Sequence, residues 1–349
     1  MTKILYGIQG TGNGHLTRAR ALIPELKAQG NDIDVIISGR DPKRLWDMDV
    51  FGDFRVFNGF TFAYYKNKIS FVKSAMQSRL GQFYRDVKAL NVEDYEVIIS
   101  DFEPITAWAA KRRGRNCYGL SHQNAFAYDI PQVGFGPHVK FFMKNFAPNS
   151  HHIGFHWYHW NYPIAPPLIE LPRPSEEIED FFLVYLPHEV VDQVIQTLKV
   201  VNNVNFKFYA AVDTPRDLGH LHVKTFSREN FMSDLRRCRG VITNSGFTLC
   251  SEAIHLNKKL LSKPTANQAE QLSNALALEQ LGLGMRTEQI TADVISRWTE
   301  FESVSRIVFP NTAEGLAKWF KEGCEEPLES FCQRIWSEAS IDLKTAIPT

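Results

Sequence analysis

Residues 241–282 read VITNSGFTLCSEAIHLNKKLLSKPTANQAEQLSNALALEQLG. An apolar strand ends near Asn244, a helix follows through TLCSEAIHL, KLLSK is a second strand, and NQAEQLSNALALEQLG is a second helix. Continuous apolar strands alternating with helices predict an α/β unit whose parallel sheet is covered on both faces. Ser245, Gly246, Phe247 and Thr248 open a helix directly after a strand, so free backbone N–H groups and the positive helix end face the strand's carboxyl edge, where a diphosphate could sit. Gly246 permits close backbone approach. Glu252, one to two turns into that helix, is a carboxylate able to accept hydrogen bonds from both hydroxyls of a ribose. Gln271 and Asn274 are i and i+3 on the next helix and could bond sugar hydroxyls as donors and acceptors. Taken alone, that face is equally an ordinary solvated one.

Upstream, the alternation runs through FFLVYL, a helix at EVVDQVIQTLKVV, FKFYAAV, HVKTF and a helix at ENFMSDLRRC. Pro163, Pro166, Pro167, Pro172 and Pro174 form a density that neither helix nor central strand tolerates, which places a domain boundary there. Before it, Lys3–Gln9, Asp34–Ser38, YEVIIS and CYGLS read as strands, with helices over Leu16–Gln29 and through ITAWAAKRR. The expected organisation is therefore residues 1–165, residues 166–320, and a helical segment 321–349 packing back toward the first domain or the hinge. Phe51 to Val87 is aromatic and irregular, and its pattern orders no elements.

The first strand runs into QGTGNGH, Gln9 to His15. A dinucleotide turn needs GxGxxG and an acidic residue about 20 positions on. Here Gly10, Gly12 and Gly14 are spaced GxGxG, His15 stands where the third glycine belongs, and Ser38 and Gly39 occupy the acidic place. Gly12, Asn13 and Gly14 instead make a tight turn opening a helix with an imidazole at its start, a site for an anion or a hydroxyl-bearing substrate. Histidine can serve there as a general base near neutral pH. IISDFEP brings Asp101 and Glu103 to the same sheet edge, where either could orient His15, Glu103 could be the base itself, or both could merely cap the helix that Pro104 begins.

Four segments in order, GTGNGH, SHQNA (Ser121 to Ala125), the Gly246 turn with Glu252 six residues on, and EQLSNA (Glu270 to Ala275), resemble GT-B glycosyltransferases. The similarity is to the UDP-glycosyltransferases and to the peptidoglycan N-acetylglucosaminyl transferase family. The resemblance implies two Rossmann-like domains with parallel sheets facing a central cleft, and an inverting transferase of hexosyl type. It gives Glu252 the ribose, Glu270 and Gln271 the donor sugar, and Ser121, His122 and Gln123 a place in the acceptor-side loop beside Gly12, Asn13 and Gly14. His15 becomes the catalytic base, with Asp101 as its orienting carboxylate. One departure matters: Asn244 stands where the plant-type signature has a phosphate-contacting histidine, so backbone N–H groups, Ser245 or an arginine must do more. His188, in YLPHE at the end of a strand of the second domain, is a candidate phosphate or sugar contact, and Lys224 to Phe231 is the expected place for the nucleobase.

Composition bounds the rest. Lysine plus arginine and aspartate plus glutamate number 39 each, so no global field favours nucleic acid. Five dispersed cysteines fit reduced thiols, and without a signal-like or bilayer-spanning run the chain is expected to be cytoplasmic. HHIGFHWYHW lacks companion carboxylates for a metal, and the resemblance implies a nucleotide sugar bound as substrate with no cofactor and no dedicated metal site, while allowing a loosely associated divalent ion. In residues 138–147, Val139, Phe142, Met143 and Phe146 make one apolar helical face with Lys140 and Lys144 beside it, fit either for core packing or for peripheral contact with a membrane or lipid-linked acceptor. The expected partners are a nucleotide sugar, with UDP as the nucleotide, and an acceptor hydroxyl. Two alternatives share the fold: a hydrolysing UDP-sugar 2-epimerase, and a sugar-nucleotide-binding protein without catalysis.

Overall fold

A computed structural model describes residues 1–45, 47–59, 64–65, 68–69, 80–301 and 305–344. The end of the expected C-terminal segment, 345–349, and much of the aromatic stretch after Phe51 lie outside the described residues. The chain divides into two compact units. The first takes in Met1–Ile130, Phe135–Glu170 and Pro310–Glu338; the second takes in Pro131–Gly134, Leu171–Phe309 and Ala339–Thr349.

The first unit holds a seven-stranded sheet of β1 (Lys3–Gln9), β2 (Asp32–Ser38), β3 (Phe54–Phe57), β4 (Val97–Asp101), β5 (Tyr118–Ser121), β6 (His151–Phe155) and β7 (Ile164–Ala165). Their spatial order is β3-β2-β1-β4-β5-β6-β7, and every pair is parallel. The order reverses between β1 and β4, and in open parallel sheets ligands bind beyond the strand carboxyl ends at such a switch point. Ile8 of β1 lies opposite Asp101 of β4, so the turn after β1 and the end of β4 share that edge. Helix α1 (Asn13–Ala28) packs on the sheet through Leu16, Ala19, Leu22, Ile23 and Leu26, all buried, the spacing the sequence predicts. Fully burying one such leucine contributes about 1.5–3 kcal/mol. Helix α2 (Pro104–Arg112) leaves β4 and lies close on β1. A Cβ built on Gly7 would stand 2.2 Å from Thr106 Oγ1, so only glycine allows that approach.

Helix α3 (Pro137–Phe146) turns part of its expected apolar face inward: Phe146 is buried, and Phe142 and Phe146 pack with Phe102 and Ala107, while Phe141 is 71% exposed. The histidine-rich segment begins as β6, with Ile153 and Phe155 buried in the sheet and His151 and His152 exposed at its start. Strand geometry governs this segment, as the alternation of its first residues permits.

The second unit repeats the design with β8 (Phe182–Tyr185), β9 (Phe206–Tyr209), β10 (Arg216–Asp217), β11 (Leu221–Lys224), β12 (Gly240–Thr243), β13 (Lys259–Ser262) and β14 (Met285–Arg286), in the order β10-β11-β9-β8-β12-β13-β14. All pairs are parallel except the edge pair β10–β11. Phe182, Val184, Phe206, Phe208, Leu221, Val223 and Trp298 belong to its core. The reversal lies between β8 and β12. Helices α4 (Phe247–His255) and α5 (Ala269–Gln280) follow β12 and β13. The chain then returns to the first unit as α6 (Thr312–Lys321), which packs on α1, and α7 (Leu328–Ser337), whose Trp336 indole donates to the Ile164 carbonyl at 2.7 Å. Among the described residues no helix is long and apolar enough to cross a membrane, and the five cysteines are free.

Candidate active site

In the first unit, Gly12 is the N-cap of α1 without a capping side chain, and His15 sits in the helix's first turn. His15 Nδ1 and Asp101 Oδ1 are hydrogen-bonded at 2.7 Å, joining residues 86 apart in sequence. Arg18, one turn along α1, donates from Nε to Asp101 Oδ2 at 2.9 Å and from Nη2 to Oδ1 at 2.6 Å. His15 and Arg18 are 8% and 3% exposed, and Asp101 is fully buried. Burial alone would raise the Asp101 pKa, but the Arg18 guanidinium and His15 outweigh it and hold the carboxyl below its ordinary range. Phe102 follows with φ of 53°, a left-handed conformation that a bulky residue adopts only under constraint, and its ring lies parallel to the His15 ring at a centroid distance of 6.4 Å. That turn sets Asp101 toward the imidazole and Glu103 toward α2.

Glu103 is therefore not beside His15. Its Oε1 accepts from Ser38 Oγ at 2.6 Å and from the Ile105 amide at 2.8 Å, and its Oε2 accepts from the Thr106 amide at 2.7 Å. It is the N-cap of α2, fully buried, with burial raising its pKa against the lowering effect of those hydrogen bonds. Of the two carboxylates the sequence brings to this edge, Asp101 holds the histidine and Glu103 holds the helix.

The remaining residues of this edge divide between exposed and buried. Asn13 is exposed and accepts from Arg40 at 2.9 Å. Gly12 and Gly14 are partly buried, and Gly12 lies against the His15 ring. Ser121 caps the turn after β5 through the Asn124 amide at 3.2 Å, and buried His122 bonds the Phe155 carbonyl through Nδ1 at 2.8 Å. Gln123 is partly buried. Ser121 and His122 thus bond the backbone of the loop from inside.

In the second unit, β12 leads through Asn244, Ser245 and Gly246 into α4. No side chain caps α4, and a Cβ on Gly246 would meet nothing within 4 Å, so the space over this turn is open. Thr248 is partly buried, while Phe247 and Glu252 are 4% and 5% exposed. Ser245 is fully buried with its hydroxyl 2.6 Å from that of Ser262. Asn244 is bonded within this edge: its amide donates to the Lys263 carbonyl at 2.9 Å and to Glu189 at 3.4 Å, and its oxygen accepts from the His188 amide at 3.3 Å. His188 itself is exposed. Lys263, after β13, pairs with Glu189, after β8, and brings a cation to the carboxyl edge of the sheet.

Asn274 is fully buried and donates to the Ser245 carbonyl at 2.9 Å, and Gln271 accepts from the Thr265 amide at 2.8 Å. These two position the turn and the loop before α5, whereas Glu270 is only partly buried at the start of α5. In the segment named for the nucleobase, Phe226 is 42% exposed and packs near Tyr185 and Phe231. Among the described residues no group of three or more His, Cys, Asp or Glu side chains is arranged to hold a metal.

Arg18, Phe102 and Lys263 are the site features missing from the sequence reading. Arg18 carried one usable signal, a charge placed among the buried positions of α1.

Comparison with known proteins agrees with this architecture. The model of glycosyl transferase family 1 matches residues 2–132 and 163–301. Among curated proteins, none matches the sequence. The glycotransferase of kitacinnamycin is a similar solved structure, at 14% identity and a TM-score of 0.61, with 95% of each chain covered. UGT89C1 of Arabidopsis thaliana, complexed with UDP, aligns at 12% identity and a TM-score of 0.58 over 96% of this chain and 99% of its own. MurG of Acinetobacter baumannii aligns at 12% identity and a TM-score of 0.53 over 86% and 90%. At such identities the structures speak for the fold, and the family match covers most of the sequence. The chain is a glycosyltransferase of GT-B fold and belongs to glycosyl transferase family 1.

Proposed function

We propose that the protein transfers a sugar from a UDP-sugar to an acceptor hydroxyl with inversion, using His15 as general base. The observation that carries the reading is the buried 2.7 Å bond between His15 Nδ1 and Asp101 at the switch point of the first sheet. With the Nδ1 hydrogen donated to Asp101, Nε2 keeps its lone pair for the acceptor proton. The acceptor oxygen then attacks the anomeric carbon as the bond to the diphosphate breaks, UDP departs, and His15 passes its proton to solvent. A positioned base of this kind contributes on the order of 10²- to 10⁴-fold.

The second unit holds the donor in this reading. The uncapped first turn of α4 receives the diphosphate, Glu252 the ribose, and Glu270 the sugar; Gln271 and Asn274 support the backbone they contact. Lys263, ion-paired with Glu189 at that edge, stands in for the phosphate-contacting histidine. UDP as the nucleotide follows the complex of UGT89C1 with UDP. The exposure of Phe226, in the segment expected to receive the nucleobase, supports stacking of its ring on the base.

Product analysis tests the reading. The protein is incubated with a panel of nucleotide sugars, with and without candidate acceptors, and products are separated by mass. A glycosylated acceptor, formed on the order of 10²-fold or more slowly by His15→Ala, is the expected result. Acceptor-independent release of UDP with an epimerised sugar would replace it with hydrolysing epimerisation, and normal turnover in His15→Ala would remove the base.

A further inference from the structure

In the second sheet β12 lies between β8 and β13, and one side chain ties the carboxyl ends of all three. Asn244, 3% exposed, donates to the Lys263 carbonyl at 2.9 Å and to Glu189 Oε1 at 3.4 Å, and accepts from the His188 amide at 3.3 Å. The same Glu189 oxygen pairs with Lys263 Nζ, so the ion pair bridges the end of β12 beside Asn244. Just beyond, the space over Gly246 is open and α4 begins without a capping side chain. Other polar groups of this edge bond within the protein. The Ser245 and Ser262 hydroxyls bond each other, Gln271 accepts from the Thr265 amide, and Asn274 donates to the Ser245 carbonyl. The Lys263 and Glu189 side chains are 17% and 23% exposed, open enough for a ligand to reach and buried enough for their charges to be weakly screened.

The pair is neutral as it stands. A diphosphate set on the first turn of α4 is a polyanion, attracted by Lys263 and repelled by Glu189. An ammonium has its donors on a flexible stem, so Lys263 can turn from the carboxylate to a phosphate oxygen. The carboxylate then keeps its charge beside the anion without a partner cation, and like charges so placed disfavour one another.

We infer that Glu189 is a displaceable counter-ion of the donor site: it holds Lys263 beside the phosphate turn while the site is empty, yields the lysine to the diphosphate, and by its own charge limits the affinity for UDP. The inference rests on the assignment of the Gly246 turn to the diphosphate. A pair that only stapled β8 to β13 would act with the opposite sign, because its loss would free Lys263 to wander and weaken the binding of an anion.

Titration calorimetry of UDP into the parent and four variants separates the two. Glu189→Gln, which keeps an oxygen for Asn244 and Lys263 but not the charge, is expected to lower the Kd about tenfold, and Lys263→Met to raise it about tenfold or more. Glu189→Ala must move in the same direction as Glu189→Gln, which covers the case in which Glu189→Gln does not fold. Glu179 stands before β8 as Glu189 stands after it, and pairs with Lys207 and Arg237 at the other end of the strand. Glu179→Gln therefore removes the same charge away from the turn and should bind UDP as the parent does. An equal or higher Kd in the folded Glu189 variants overturns the proposal, and so does an equal gain in Glu179→Gln. Binding of UDP that Glu252→Ala weakens and Glu189→Gln does not strengthen would defeat this inference alone, whereas no binding of UDP to any of the proteins would defeat the donor site and the inference with it.

Discussion

Asp101→Asn removes one charge from a buried set of three. Arg18, 3% exposed, would lose its charge-assisted bonds of 2.9 and 2.6 Å and remain buried without a counter-charge. Breaking a buried pair in this way costs about 3–5 kcal/mol. Arg18→Met should cost a similar amount, because it strands Asp101 instead. The double variant removes both charges and should be no less stable than either single one, a coupling of at least about 3 kcal/mol. Urea unfolding followed by tryptophan fluorescence measures all four proteins. Trp108, Trp157, Trp160, Trp319 and Trp336 belong to the first unit and Trp298 to the second, so the signal reports chiefly the unit that carries the pair.

The pH dependence has a definite sign. Asp101 has a folded pKa below its ordinary 3.8, so its contribution is present above that value and is lost as pH falls through the lower folded value. The stability gap between parent and Asp101→Asn should therefore narrow on acidification below about pH 3.8. Additive single costs, or a gap that widens in acid, would refute the reasoning.

Two further substitutions test the frame around the sites. Gly7→Ala would place a methyl 2.2 Å from Thr106 Oγ1 and 2.8 Å from Glu103 Oε2, and should destabilise the first unit by about 1–3 kcal/mol in the same urea assay. Parental stability would mean that α2 can withdraw from β1 freely. Asn274→Ala should cost about 1–3 kcal/mol by leaving the buried Ser245 carbonyl short of a donor, and should weaken UDP binding although Asn274 itself is buried. Unchanged affinity in calorimetry would separate α5 from the nucleotide binding proposed for the Gly246 turn.

Much of this protein was legible from strands with continuous apolar character. The apolar run bounds β1 at Lys3–Gln9, and the strand–helix alternation marks β2, β4, β5, β8, β9, β11, β12 and β13 but not the short edge strands β3, β7, β10 and β14. The strand in HHIGF was hidden because two exposed histidines open it and prolines follow it, so its chemistry drew attention away from Ile153 and Phe155. In the sites, Gly246 and His15 stand out because each follows the end of a strand, and Glu252 stands out through the resemblance that sets it six residues after Gly246. The division of labour between Asp101 and Glu103 did not, since it depends on the left-handed turn at Phe102. Arg18 and Asp101 are 83 residues apart and meet only when β1 and β4 pair. Asn274 showed its donor chemistry but not its direction, because which helix face turns inward is decided by the sheet beneath it.

The central claim is that the turn at Gly246 and the carboxylate of Glu252 hold a nucleotide. Titration calorimetry of UDP into the parent and Glu252→Ala tests it most directly. One site is expected in the parent, weakened by about 1–3 kcal/mol in the variant, the range for a charge-assisted hydrogen bond. The absence of heat with UDP and with every other nucleoside diphosphate, or equal affinity in the two proteins, would contradict it.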